Sequence, residues 1–247
     1  MILVRPYSQV AAVYDAALGV PWFRHARAAF ERIVPRFGLA FRSAADVGCG
    51  TGLFASYLAR RWRVPVFAVD RSPEMLLAAQ RRCGCEPVRL LLQDARCLRL
   101  PHPVDLITAH YDMINHVTRP CDVREVFARV GQNLSPGGHF LFDVVTPRQP
   151  LSPARPFVRH LRRARPRVLQ VVRWNPLLRL LRIDVVHWWK RGPSMERHWE
   201  RAYSPLELVE WLRRAGFRIR AVLDALTLRI AGHEAPRVYV LAQKPVA

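Results

Sequence analysis

His110, Asp112 and His116 fall within one short stretch, TAHYDMINHV (Thr108 to Val117). Two imidazoles and a carboxylate suit a metal, a proton relay or a hydrogen-bonded loop equally well, so side-chain types alone leave the three open. A second candidate is the run Asp46-Val47-Gly48-Cys49-Gly50-Thr51-Gly52. Glycines at alternate positions permit a tight turn and let backbone approach a ligand closely. A helix starting behind such a turn favours a carboxylate or phosphate by about 0.3–1 kcal/mol. The run is not a phosphate P-loop, because no Gly-Lys-Ser/Thr follows. A third candidate, Asp70, lies about twenty residues downstream, where an acid can accept from both hydroxyls of a ribose. Each such charged hydrogen bond contributes about 1.5–3 kcal/mol. Asp70 also has a plainer reading, as a capping acid ahead of Ser72-Pro73.

These residues need elements to hold them. The runs RSAADVG, VPVFAVD, VRLLLQD, VDLITAH and GHFLFDVV are almost continuously apolar and alternate with helical patterns. Strands covered on both faces read this way, which predicts a parallel sheet between two layers of helices. Ser72-Pro73-Glu74 predicts a capped helix start, and Asp122…Glu125 and Ser204-Pro205…Glu207 predict capping boxes. Gly216 should end the last helix in a left-handed cap, and RVYVLAQK should form the final strand. Between Pro150 and Ser204 the pattern turns to branched and aromatic residues punctuated by NP and GP, predicting two or three inserted antiparallel strands. Its four tryptophans, Trp174, Trp188, Trp189 and Trp199, either pack onto the main domain or wall a ligand.

Read in order, ADVGCGTG, the acid of FAVDRSPEML, LLQDA and LSPGGHFLFDV resemble the successive motifs of class I S-adenosylmethionine-dependent methyltransferases. The resemblance runs from about Tyr7 to the C-terminus. It implies an α/β, Rossmann-like methyltransferase fold: a seven-stranded, mostly parallel sheet with helices on both faces and an antiparallel insert before the penultimate strand unit. It implies one domain, 1–247, with an N-terminal helical lid (1–40) and a β insert (150–203) over the acceptor pocket. S-adenosylmethionine is the implied cofactor. Asp46, Gly48, Cys49, Gly50 and Gly52 would cradle its methionine end, Asp70 its ribose, Arg71 and Met75 the adenine face, and Asp94 and Ala95 the adenine edge. YSQVAAVYDAAL, HYDMINHV, FDVVTP and HWERAYSPLELVEWLRRAGF are similar to the subfamily acting on amines, sugars and other metabolites. Tyr14 and Asp15 match the aromatic–acid pair of its lid, which makes Tyr14 a candidate to close over the cofactor. Asp112 and Asn115 match a pattern whose role would be to tie the loop locally.

His110 should end a strand lying beside the first one, facing the crevice where open α/β sheets bind ligands. By resemblance that position touches both cofactor and acceptor, so His110 is also the candidate base if the acceptor is a hydroxyl. His116 reads as a first-turn helix residue, and His198 as a second candidate base or a histidine on a solvated strand face. A metal would need a matching ligand from another strand, and no metal site is expected.

Composition bounds the partners. The 247 residues carry a formal net charge of +20, with Lys190 and Lys244 the only lysines. An arginine-rich field attracts polyanions, so an RNA methyltransferase is the alternative reading, the densest run being RHLRRARPR (Arg159 to Arg167). Against it, HYDM replaces the Asn/Asp-Pro-Pro-aromatic box of amino-methylating nucleic-acid enzymes, and Cys121 falls too late to be the nucleophile of a cytosine-carbon enzyme. A non-catalytic binding protein would not need the intact glycines with both Asp70 and Asp94. The expected partner is a small-molecule methyl acceptor, with the chain a monomer or homodimer. Five unevenly spaced cysteines predict reduced thiols, and the absence of about eighteen consecutive apolar residues or a secretion signal predicts a cytoplasmic protein without a membrane span.

Overall fold

The computed structural model describes residues 2–149, 151–160, 167–189 and 192–246. In chain order the elements are β1 (Ile2–Val4), α1 (Val20–Phe37), β2 (Ala44–Val47), α2 (Leu53–Trp62), β3 (Val66–Asp70), α3 (Pro73–Cys83), β4 (Val88–Leu92), β5 (Val104–Ala109) and α4 (Pro120–Asn133). They continue with β6 (Leu134–Val145), β7 (Phe157–His160), β8 (Arg167–Asn175), β9 (Leu180–Trp189), β10 (Gly192–Arg201), α5 (Pro205–Arg214), β11 (Arg218–Asp224) and β12 (Arg237–Gln243).

Seven strands form the main sheet in the order β11-β12-β6-β5-β2-β3-β4. From β6 to β4 every pairing is parallel, and β12 is antiparallel to both its neighbours. All of β2 is buried, which is why its sequence shows no alternation. One face packs on α4 and α5 through Val126, Phe127, Leu208 and Leu212, the other on α1 and α2 through Phe30, Ile33, Phe54 and Leu58. The order reverses at β2, with β3 on one side and β5 on the other, so a crevice opens at their carboxyl ends. The sheet is the seven-stranded, mostly parallel Rossmann-like architecture expected from the motifs.

The insert is larger than its sequence pattern suggests. Four of its strands join β1 in a second sheet, ordered β1-β10-β9-β8-β7, with β1 parallel to β10. β1 and β7 span three and four residues, too few for alternation to register. The N-terminal segment is correspondingly not wholly helical: the strand is followed by a short 3-10 turn at Val10–Ala12 and a π-helical turn at Asp15–Gly19 before α1 begins. Trp174 packs in the core that joins the insert to Val10, Val13 and Met75, whereas Trp188 and Trp199 are nearly half exposed.

Ser72 caps α3 by accepting from the Met75 amide, and Ser204 with Glu207 forms a complete capping box on α5. Gly216 takes the left-handed conformation (φ 87°) after α5. The expected box at Asp122…Glu125 does not form. Pro120 sets the first turn earlier, with Arg119 at the cap, and the Asp122 carboxylate accepts from Arg96 instead. Most of the arginine run 159–167 lies outside the described residues.

Candidate active site

A cavity of about 310 Å³ lies at the carboxyl ends of β2, β3 and β5. The glycine turn forms its floor. Gly48 (φ 74°) must lack a side chain twice over, since its backbone is left-handed and a Cβ would sit 2.3 Å from Met113 Cγ. Gly50 (φ 53°) lines the cavity, and a Cβ there would meet no atom within 4 Å, so the backbone at this point has open space for a ligand.

Asp70 sits at the end of β3 because the Gly50 N–H donates to its Oδ2 at 2.8 Å and the Ser72 N–H to its Oδ1 at 2.9 Å. Burial pushes its carboxyl up, and the Ser72 and Gly50 amides pull against that shift. Each carboxylate oxygen keeps a lone pair beyond these bonds, the capacity a pair of vicinal hydroxyls requires. Asp70 therefore ties down the turn ahead of α3, as the capping reading expects, and also lines the cavity.

The structure brings Gly48, Cys49, Gly50, Asp70, Arg71, Met75, Asp94, Ala95, His110 and Tyr14 to one cavity wall. Asp46 and Gly52 are left out of the lining. Asp46 is buried beneath the turn, where it accepts from Thr108 Oγ1 at 2.8 Å, and burial pushes its carboxyl up to about 6 against that bond and the nearby His110. Asp94 caps the short turn Ala95–Cys97 and pairs with Arg96, whose hydrogen bonds hold the carboxyl below its ordinary range. The Tyr14–Asp15 pair divides its labour. Tyr14 lines the cavity, while Asp15 accepts from Thr51 Oγ1 at 2.5 Å and from Arg82, tying the N-terminal segment to the glycine turn.

His110 ends β5 beside β2, as the strand pattern requires. Its ring turns inward: the side chain is 1% exposed, lies edge-on to Phe54 at 4.2 Å between centroids, and places Nδ1 3.5 Å from Asp143 Oδ1. It lines the cavity with its side chain almost wholly buried. Tyr111 and Asp112 follow with φ of 62° each, a strained pair. Three contacts hold it: the Tyr111 N–H donates to Asp143 Oδ1 at 2.8 Å, and Arg237 donates to both Asp112 oxygens (2.6 and 2.9 Å) and to Asp143. Asn115 bonds the backbone of Val145 and Arg201. The loop is thus tied down, but by residues 30 to 125 positions away rather than locally.

His116 is not helical; α4 starts at Pro120, so the imidazole is free to face the cavity. The Tyr7 hydroxyl lies 2.7 Å from His116 Nε2, and Glu200 Oε1 is 3.5 Å from the same nitrogen. His198 is 6% exposed rather than solvated; its Nε2 is 3.1 Å from Glu196 Oε2 and its ring packs on Tyr7 at 4.6 Å. Tyr7 was not singled out by the sequence, and His116, one of the opening candidates, was expected in a helix rather than on the cavity wall. The one available signal was the run Ser194, Glu196, His198, Glu200, four polar residues at alternate positions whose face is buried. Among the described residues no group of three or more His, Cys, Asp or Glu side chains is disposed to hold a metal.

Residues 44–138 match the family described as methyltransferase domain. An uncharacterized methyltransferase of Mycobacterium bovis is 35% identical over 121 residues, 48% of this chain and 57% of that protein. The chain spans between 25% and 57% of the length of the first curated relatives it matches. Its fold is similar to that of an S-adenosylmethionine-dependent methyltransferase from Clostridium acetobutylicum, with 23% identity and a TM-score of 0.79 covering 97% of this chain and 99% of that one. It is also similar to CalS10, an amino pentose methyltransferase from Micromonospora echinaspora solved with S-adenosylmethionine bound, at 20% identity and a TM-score of 0.71 over 98% and 99% of the two chains.

Proposed function

We propose that this chain is a class I S-adenosylmethionine-dependent methyltransferase and that it methylates a nitrogen or oxygen of a small molecule, a reading supported by the methyltransferase-domain match and the shared fold. The observation that carries the reading is Asp70, held by the Gly50 amide so that a carboxylate and a side-chain-free turn face one cavity. Glycines 48 and 50 with Cys49 would hold the amino-acid end of the cofactor, Asp70 its ribose hydroxyls, Arg71 and Met75 the adenine face, and Asp94 with Ala95 its edge. When bound, S-adenosylmethionine supplies a methyl group activated on a sulfonium. Tyr14, from a lid fixed to the turn through Asp15, covers that ligand and excludes water. His110 forms the wall between cofactor and acceptor. In-line displacement depends chiefly on alignment, which a cavity built on strand ends and a pinned loop supplies.

A small acceptor suits the size of the cavity, which falls at the low end of the roughly 300–1,000 Å³ usual for small-ligand sites. The enzyme from Micromonospora echinaspora that shares the fold is an amino pentose methyltransferase.

Isothermal titration tests the reading. S-adenosylmethionine should bind with micromolar affinity, and Asp70→Ala should weaken it roughly 10- to 100-fold, the loss expected of a charged ribose contact. Unchanged affinity in the variant would refute the ribose assignment; no binding to the native chain would refute the function.

A further inference from the structure

We propose that Glu200, the one acid of a buried charge cluster that no group hydrogen-bonds, seats the nitrogen of an amine acceptor and takes its proton before methyl transfer. The inference rests on the methyltransferase reading and narrows its acceptor to amines.

Four charged side chains make up the cluster: Asp112 from the loop after β5, Asp143 near the end of β6, Arg237 at the start of β12 and Glu200 on the inner row of β10. Arg237 donates to both oxygens of Asp112 and to Asp143, and Asp143 also accepts from the Tyr111 N–H. Glu200 has no hydrogen-bond partner among the described residues, although its side chain is only 9% exposed. Its Oε1 points at Nε2 of His116, 3.5 Å away, a nitrogen that lies 2.7 Å from the Tyr7 hydroxyl. Burial, with His198 and Arg71 nearby, pulls that imidazole down to about 3, so it brings no charge to pair the acid. Glu196 on the same row is the contrast. It accepts from the backbone N–H groups of Tyr7 (2.9 Å), Gln9 (2.6 Å) and Val10 (2.8 Å), and faces His198.

Three carboxyls share one guanidinium, so one of them gives up its charge. The hydrogen bonds decide which: Asp112 and Asp143 hold Arg237, and Glu200 keeps a proton. Burial pushes its carboxyl far up, Asp112 and Asp143 add to the shift, and Arg237 opposes it. The other groups facing it are His116 and, from the N-terminal segment, Tyr7 and Tyr14. These three line the cavity, and Asp112 and Arg237 beside them keep 17% and 18% of their side-chain surface open. A buried acid without a partner is costly to keep, and a ligand that supplies the missing donor recovers the loss.

A hydroxyl acceptor would ask this acid for a negative charge that it does not hold. An ammonium brings the compensating charge with it. As the ammonium enters, Glu200 releases its proton to water and pairs with the nitrogen. The ammonium then passes one proton to the Glu200 oxygen, which restores the neutral acid and frees the nitrogen lone pair. That pair bonds the methyl carbon as the methyl–sulfur bond breaks, its electrons staying on sulfur. The products are the methylated ammonium and a neutral thioether, with Glu200 protonated as at the start and one proton given to water per turnover.

Two measurements on the whole protein test the assignment. In infrared difference spectra at about pH 7, native protein minus Glu200→Gln should show the carbonyl band of a protonated carboxylic acid. With S-adenosylhomocysteine present, methylammonium chloride should remove that band, and sodium chloride at equal ionic strength should leave it. Glutamine copies the shape of the neutral acid, so the variant should keep the native urea midpoint. In the second, matched pairs of sugars and phenols carrying –NH2 or –OH at the same carbon are assayed for S-adenosylhomocysteine release. Amine members should be the ones turned over, and Glu200→Gln should lower their kcat/KM roughly 100-fold with S-adenosylmethionine affinity kept within about threefold. Where neither member of a pair is turned over, the infrared response to methylammonium decides. A missing acid band, a band that methylammonium leaves in place, turnover of hydroxyl members alone, or an amine kcat/KM above a tenth of native in Glu200→Gln overturns the proposal. Loss of S-adenosylmethionine binding in the native chain would sink the methyltransferase reading instead, and the acid band, recorded without cofactor, would still report on Glu200.

Discussion

At the scale of single residues, the site depends on buried charges that are only as good as their partners. Arg237 from β12 lies under the Trp22 ring and holds both Asp112 and Asp143. Replacing it by methionine strands two buried carboxylates, and Arg237→Met should cost about 3–5 kcal/mol in urea unfolding; a loss under about 1 kcal/mol would show that the carboxylates have other support. His116 gives a pH signature. Its folded value lies below its unfolded one, so its stabilising effect is complete above about pH 6.5 and is lost as pH falls towards about 3. The native urea midpoint should therefore decline from about pH 7 to pH 5, and His116→Gln should flatten that decline. The glycine turn and Asp70 were legible because their chemistry rests on short, fixed spacings. The Tyr7–His116 contact joins residues 109 positions apart, and no local pattern encodes it.

At the scale of elements, one strand does two jobs. The outer residues of β10 face solvent in part, while its inner row carries hydrogen bonds to the N-terminal segment and to the loop after β5. The five parallel strands of the main sheet were readable from continuous apolar runs. β1 and β7 were not, being too short, and the buried acids and histidine of β10 were hidden because a polar residue at every second position reads as a solvated face. Burial acts to raise the Glu196 carboxyl, but His198 and the Val10 and Gln9 amides outweigh it and hold the group below its ordinary range. The sign follows: its contribution is present above the unfolded value of about 4.5 and disappears as pH falls through the lower folded value. Acidification from about pH 5 to pH 3 should release the N-terminal segment first, seen as faster amide exchange at Gln9 and Val10 after correction for intrinsic rates. Glu196→Gln should exchange fast at those amides already at pH 7.

At the scale of the molecule, the +20 charge is spread over surface arginines, several already engaged: Arg173, Arg182 and Arg197 converge on the buried Asp184. Asp184 offsets one of those three charges. Filter binding of a transfer-RNA pool across a salt series should give affinities no tighter than micromolar; nanomolar binding with a steep log–log slope would make nucleic acid the substrate. The carboxylate of Glu196 and the amides it grips are separated by up to 189 positions. During synthesis, then, Tyr7 and its neighbours leave the ribosome long before the residue that anchors them exists. The segment made first is anchored only once β10 has been made, and the last two strands of the main sheet, β11 and β12, follow later still.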